Sequence, residues 1–139
     1  MTDKTIMIVD DVESNRVLLK MILEDDFNII ESDSGQDCLT KVQASIPDII
    51  LLDVNMPGMT GYEVCTELRK HNASSNIPII FVSAMDNVEE RLAGFEAGGN
   101  EYITKPIDPE RVLEKITYYI EHQAAAKQAK ADSNTAMQV

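Results

Sequence analysis

Asp48-Ile49-Ile50-Leu51-Leu52-Asp53-Val54-Asn55-Met56-Pro57-Gly58-Met59-Thr60-Gly61 is the stretch whose reading decides the fold. Four apolar residues in a row, Ile49 to Leu52, are the pattern of a parallel strand covered by helices on both faces, so that neither side of the pleat meets water. Asp53 follows at once. A carboxylate there stands at the carboxyl end of the strand, where open α/β sheets place their ligands. Pro57, Gly58 and Gly61 then force the chain out through a constrained turn. Asp53 is therefore expected at a rigid rim, with no capping task to account for it.

Upstream, Thr5 to Val9 reads as a buried strand that ends on Asp10-Asp11. The spacing of Val17, Leu18, Met21 and Ile22 against Glu13, Asn15, Arg16 and Lys20 predicts an amphipathic helix from about Glu13 to Glu24. Phe27 to Ile30 is a short second strand. Ser34 is placed to cap a helix whose apolar face is Cys38, Leu39 and Val42, stopped by Pro47. Downstream, Tyr62, Val64, Cys65 and Leu68 form a third helix, closed by the polar run Lys70 to Asn76. Pro78 to Val82 is an all-apolar strand that leads to Ser83-Ala84. Asp86 or Asn87 caps a fourth helix with apolar positions Val88, Leu92 and Phe95, and Gly98-Gly99 provide its stop. Tyr102 to Thr104 is the last strand, ended by Lys105-Pro106. Asp108 and Pro109 then open a final helix that carries Val112, Ile116, Tyr119 and Ile120.

The order is (βα) five times, which predicts a doubly wound α/β fold with a parallel sheet and right-handed crossovers. Residues 1–122 make one domain. Residues 123–139 lack an apolar stripe and are expected as a flexible or helical extension, or the start of a linker to an effector domain. The 139 residues are 44% hydrophobic, enough for a core, and carry a net charge of -12 without a Lys/Arg cluster. That balance argues against a surface for nucleic acid, whose phosphates are met by basic clusters, and suits a cation site or a basic partner. Cys38 and Cys65 fall in helical patterns without a CxxC or a His pair, so they read as small buried thiols of a reducing compartment. Neither a signal peptide nor a membrane-length apolar segment is visible. A cytoplasmic protein is expected.

In a parallel sheet the strand ends share one edge, so Asp10-Asp11, Asp53, Ser83-Ala84 and Lys105-Pro106 should converge there. Three carboxylates repel one another unless a cation or the lysine neutralises them. Oxygen donors without His or Cys select a hard ion, and Mg²⁺ fits best because it accepts one or two carboxylates and leaves positions for phosphoryl oxygens. With a metal, a lysine and a hydroxyl around it, Asp53 is suited to accept a phosphoryl group as a nucleophile.

On these residues the chain resembles the response-regulator receiver domains of two-component signalling, over Lys4 to about Glu121. The resemblance rests on Asp10-Asp11, Asp53 with Met56-Pro57-Gly58, Ser83-Ala84, Tyr102 and Lys105-Pro106, in that order and on matching elements. It implies a flavodoxin-like (βα)5 fold with strand order 2-1-3-4-5. It implies that Asp53 is the phosphoacceptor, that Asp11, Asp53 and the backbone carbonyl of Asn55 ligate Mg²⁺, and that Asp10 acts through water. It further implies that Lys105 pairs with the phosphoryl group through a lysine aimed by a cis Lys105–Pro106 bond. Ser83 and Tyr102 would be the switch pair, and the surface of the fourth helix, fifth strand and fifth helix would carry the signal and often the homodimer. The phosphoryl donor would be a sensor histidine kinase or histidine phosphotransfer protein. The protein would be a switch rather than an enzyme, catalysing only its own phosphorylation and dephosphorylation, with no direct contact to nucleic acid or membrane. Gly99 departs from the usual alanine and is expected to loosen the end of the fourth helix. Asn55 stands where the family varies.

Each residue also has a plainer reading. Asp10-Asp11 alone would be an Asx turn opening a helix, Tyr102 a half-buried core residue, Ser83 a turn residue and Lys105 a solvated strand end. His71 and His122 read as surface histidines, and Met56, Met59 and Met85 as packing at the rim. Two other functions compete. A small-substrate phosphatase working through an aspartyl phosphate would want an acid two residues beyond the nucleophile, where this chain has Asn55. A degenerate binding module would lack an acid or the lysine, and here all are present.

Overall fold

The structure, a computed structural model, describes residues 3–122 of the chain. The expected extension over 123–139 lies outside the described residues. The elements run β1 (Thr5–Val9), α1 (Glu13–Leu23), β2 (Asn28–Ser32), α2 (Gly35–Ala44), β3 (Ile49–Asp53), α3 (Gly61–Arg69), β4 (Ile79–Ser83), α4 (Val88–Glu96) and β5 (Glu101–Thr104). A last helix, α5, covers 109–122. All strands pair in parallel in the order β2-β1-β3-β4-β5.

The unbroken apolar runs follow from the pleat, which sends successive side chains to opposite faces. On β3, Ile50 and Leu52 join Met7, Val9, Phe81, Cys38, Val42, Val64 and Leu68 in a core beneath α2 and α3. Ile49 and Leu51 join Ile6, Ile8, Leu19, Leu23, Val112 and Ile116 in a second core beneath α1 and α5. Both faces of the central strands are dry, so alternation disappears from the sequence. The helix starts obey capping chemistry. Ser34 accepts from the Asp37 amide, Asn87 accepts from the Glu90 amide, and Thr60 with Glu63 forms a reciprocal capping box that was not anticipated.

Two expected helix faces are corrected. Val17, Leu18 and Met21 of α1 are 44%, 45% and 67% exposed, while Leu19 and Leu23 are buried. The run 17–19 and 21–23 is apolar on all sides, so its periodicity cannot fix which face turns inward. On α4 the stripe Val88, Leu92 and Phe95 faces outward. What meets the sheet is Gly94, where an added Cβ would lie 3.1 Å from the Phe81 ring. The aromatic rings of Phe81 and Tyr102 already fill that space, and a large side chain has no room. Strand boundaries also shift: β2 begins at Asn28 and extends to Ser32, and β4 includes Ser83.

The glycines after α4 divide the work differently from expectation. Gly98 alone takes positive φ, at 104°. Gly99 is a close-contact position, since a Cβ there would stand 2.2 Å from a carbon of the buried Phe81 ring, and its amide donates to Gly94 O at 2.9 Å. It tightens the end of α4 rather than loosening it.

Candidate functional site

Register brings the acids together. Val9 pairs with Leu52, so the next residues along each strand, Asp10 and Asp53, emerge side by side on the same face of the pleat. Asp10 and Asp53 are 2% and 6% exposed, whereas Asp11 is exposed, and one carboxylate oxygen from each of the three lies within 4.8 Å of the others. The turn that follows is held close: the Gly61 amide donates to Val54 O at 2.8 Å, and a Cβ on Gly61 would approach the Asp53 carbonyl to 2.3 Å. Only glycine allows α3 to start that near the strand end.

Lys105 reaches in from the end of β5. Its Nζ is 3.4 Å from Asp53 Oδ1 and 3.6 Å from Asp10 Oδ2, and the Lys105–Pro106 peptide is cis. Even so, the Asp53 carboxyl is pushed up to about 6 by burial first and the Asp10 carboxylate second, against the pull of Lys105. A single lysine does not balance three carboxylates, and the surplus negative charge on oxygen donors fits a small hard dication. Asp10 also forms an Asx turn: its Oδ1 accepts from the Val12 amide at 2.9 Å and opens α1. Turn and rim position coexist in one residue. Asn55 lies on the exposed loop two residues past Asp53.

Ser83 ends β4 at the rim, whereas Tyr102 stands deeper, level with Phe81; both share pleat parity with Phe81, on the α4 side. Ser83 is buried, and its Oγ accepts from the Met85 amide at 3.1 Å. Tyr102 is 2% exposed, its ring tilted against Phe81, with the Arg91 guanidinium 5.3 Å from the ring centroid. Its buried hydroxyl has no hydrogen-bond partner. The ring is fully buried rather than half-buried, and its hydroxyl lies in the dry interior. Met56 is buried in the core, with Met59 and Met85 packed against it, and His71 and His122 are exposed.

Several polar anchors carry no sequence signal. Arg16, read only as a polar-face residue, donates to the Asp10 carbonyl. Tyr62 donates to Glu90 Oε2 at 2.7 Å and Glu90 O at 3.0 Å, which joins α3 to α4. Arg91 pairs with Asp86 at 2.6 Å and reaches Thr104 Oγ1 at 3.2 Å. Arg69 binds the carbonyls of Gly98, Ser74, Ser75 and Ile77, with Asn100 Oδ1. None carries a motif, because a long cation after a helix turn looks the same whether it is solvated or reaches back to a carbonyl.

The comparisons agree with this architecture. Residues 6–117 match the family described as response regulator receiver domain. The chain belongs to that family, whose members are the receiver domains of two-component response regulators. Among curated relatives it is 35% identical to the response regulator PleD of Caulobacter vibrioides, over 80% of this chain and 25% of that protein. It is 33% identical to the transcriptional regulatory protein YvrH of Bacillus subtilis, over 95% of this chain and 55% of that one. The histidine kinase P4 of Formosa agariphila is 32% identical over 88% of this chain and 9% of its own length. The chain thus spans from a tenth to about half of these relatives. Among solved structures, a response regulator from Chloroflexus aurantiacus superposes with a TM-score of 0.83 at 29% identity, covering 86% of this chain and 99% of that one. The chemotaxis protein CheY4 of Vibrio cholerae gives 0.81 at 28% identity, covering 85% and 99%. Among the described residues no helix is long and apolar enough to cross a membrane.

Proposed function

We propose that residues 1–122 are a phosphoacceptor domain in which Asp53 takes a phosphoryl group from the phosphohistidine of a sensor histidine kinase or a histidine phosphotransfer protein. The observation that carries the reading is the placement of Lys105 Nζ 3.4 Å from Asp53 Oδ1, beside Asp10 and Asp11. An Asp53 carboxylate oxygen forms the new P–O bond, the P–N bond of the donor breaks, and its electron pair leaves with the imidazole. Lys105 meets the equatorial oxygens as negative charge spreads onto them. Asp11, Asp53 and the main-chain carbonyl of Asn55, with Asp10 through water, are the groups that would hold Mg²⁺, which when bound neutralises phosphoryl charge. No acid stands two residues beyond Asp53 to protonate a leaving group, so the site suits self-modification rather than turnover of small phosphoesters.

Phosphorylation adds charge beside Ser83, and the reading assigns Ser83 and Tyr102 the task of carrying that change to α4, β5 and α5. Partner binding or homodimerisation through that surface is the expected output. Incubation with acetyl phosphate, with and without Mg²⁺, should add one phosphoryl group to the intact mass only when Mg²⁺ is present and Asp53 is intact. An Asp53→Asn protein that still gains that mass would place the acceptor elsewhere.

A further inference from the structure

The peptide that joins the two leading acids is gripped from behind by a side chain that the phosphoryl chemistry does not use. Arg16 of α1 donates from Nη1 to the Asp10 main-chain oxygen at 2.7 Å, and its Nε meets Glu31 Oε1 at 3.3 Å. Its side chain is 16% exposed, so most of its surface is packed against the protein. Glu31 is itself fixed, since Lys20 Nζ lies 3.8 Å from its other carboxylate oxygen and Lys41 Nζ donates to its carbonyl at 2.6 Å. Every polar atom of Asp10 is then engaged. The amide donates to Ser32 O at 3.1 Å, Oδ1 accepts from Val12, Oδ2 faces Lys105, and the carbonyl belongs to Arg16.

The Asp10–Asp11 peptide is trans. In a planar trans peptide the carbonyl and the next amide point in opposite directions, so pinning the oxygen fixes the plane in which Asp11 departs. The exposed Asp11 carboxylate starts from that plane. A guanidinium can hold a carbonyl with one nitrogen and a carboxylate with another in a rigid fork, which an ammonium cannot reproduce.

We infer that Arg16 is a positioning residue for the divalent-cation site: by clamping the Asp10 carbonyl it sets the spread between the Asp10 and Asp11 carboxylates, and Glu31 aims and neutralises the clamp. The inference rests on the Mg²⁺-dependent phosphoacceptor reading above. A merely structural Arg16 would tie α1 to β2 and leave the ion's affinity alone.

The test is an amide NMR titration with Mg²⁺ on the full chain, following residues 10–12 and 53–56. It runs in wild type, Arg16→Met, Arg16→Lys and Glu31→Gln, with acetyl phosphate rates across the same Mg²⁺ series. Arg16→Met should raise the half-saturating Mg²⁺ concentration roughly 10-fold or more, the size of effect found when support behind a metal ligand is removed. Its phosphorylation rate at saturating Mg²⁺ should return close to wild type. Arg16→Lys should recover part of the affinity, and Glu31→Gln should shift the midpoint in the same direction by less. An unchanged midpoint in Arg16→Met, with only a lower melting temperature, overturns the inference. If Arg16→Met does not fold, unchanged midpoints in Arg16→Lys and Glu31→Gln overturn it instead. A wild type that binds no Mg²⁺ and accepts no phosphoryl group removes this inference and the reading beneath it together. Wild-type binding and phosphorylation with unmoved variants remove this inference alone.

Discussion

α4 and α5 flank the same strand, yet they are attached to the domain by different forces. α5 lays Val112 and Ile116, both fully buried, into the core it shares with α1. α4 turns Val88, Leu92 and Phe95 to the outside, 77%, 53% and 55% exposed, and seats Gly94 against the rings of Phe81 and Tyr102. Directional polar contacts to other elements hold it instead: Tyr62 of α3 to Glu90, and Arg91 to Thr104 of β5. Burial of apolar area gives no alternative partner to exchange for, whereas hydrogen bonds and ion pairs at a surface can be traded for water at small net cost. α5 is therefore the fixed wall and α4 the adjustable one. The adjustable helix follows Ser83 and packs over Tyr102, the pair proposed to report the state of Asp53.

Ile116→Ala removes fully buried methylene groups from a closed core and should destabilise the domain by about 2–5 kcal/mol. Urea denaturation at matched pH measures it directly. A loss smaller than that of Tyr62→Phe or Leu92→Ser would mean that α5 contributes little to holding the fold.

The rim above both helices gives the second effect, and its sign comes from the Asp53 carboxyl. Its folded value of about 6 is above the ordinary value of 3.8, so between those limits the folded state binds more protons than the unfolded chain. Stability must then fall as pH rises through that window, and the penalty is fully present above the folded value. Asp53→Asn removes the penalty and should raise stability at neutral pH, without added dication, by about 1–3 kcal/mol. At pH 3 the gain should vanish. Denaturant midpoints of both proteins at several pH values decide it, and added Mg²⁺ should close part of the gap by stabilising only the carboxylate form.

The sequence made the sheet and the site legible for a reason that also explains the misreading of α1 and α4. Strand cores such as Ile49 to Leu52 need no phase, because both faces are buried, and each strand's end is marked by a polar residue. Asp10, Asp53, Ser83 and Lys105 could be placed at one edge by topology alone. A helix does need a phase, and α1 has apolar residues all round, while the inward face of α4 depends on how much room Phe81 and Tyr102 leave. That depends on side-chain volume across the sheet, which no window along the chain contains. The polar anchors were hidden likewise: the partners of Tyr62 and Arg91 lie 28 and 13 residues away, and the Glu31 partner of Arg16 lies 15 away.

Tyr62 sharpens the contrast from the α4 side. Its hydroxyl donates to Glu90, and burial followed by that hydrogen bond raises its pKa, so it remains a donor throughout the accessible pH range. Tyr62→Phe keeps the edge contact with Phe81, 5.1 Å between centroids, and deletes the tie between α3 and α4 together with the polar interaction of the hydroxyl with Tyr102. The expected cost is about 0.5–1.5 kcal/mol in global stability. Amide exchange should accelerate in α4 and stay unchanged in α5. Equal acceleration in both helices would show that they open as one unit and that the distinction between them is geometric only.

Leu92→Ser is the smallest effect and the most discriminating. Leu92 is the middle residue of the outward stripe, and by size and hydrophobicity it resembles the residues α5 buries. A solvent-facing site away from caps and ion pairs changes stability by within about 0.5 kcal/mol, so the urea midpoint should barely move. Identical apolar chemistry would thus be worth several kcal/mol on α5 and almost nothing on α4. A large loss instead would mean that the stripe is covered in solution, because only removal from water gives an apolar side chain such weight. In that case the loss should depend on protein concentration, since a face covered by a second copy is stabilised by mass action, and a dilution series of the same variant would read it.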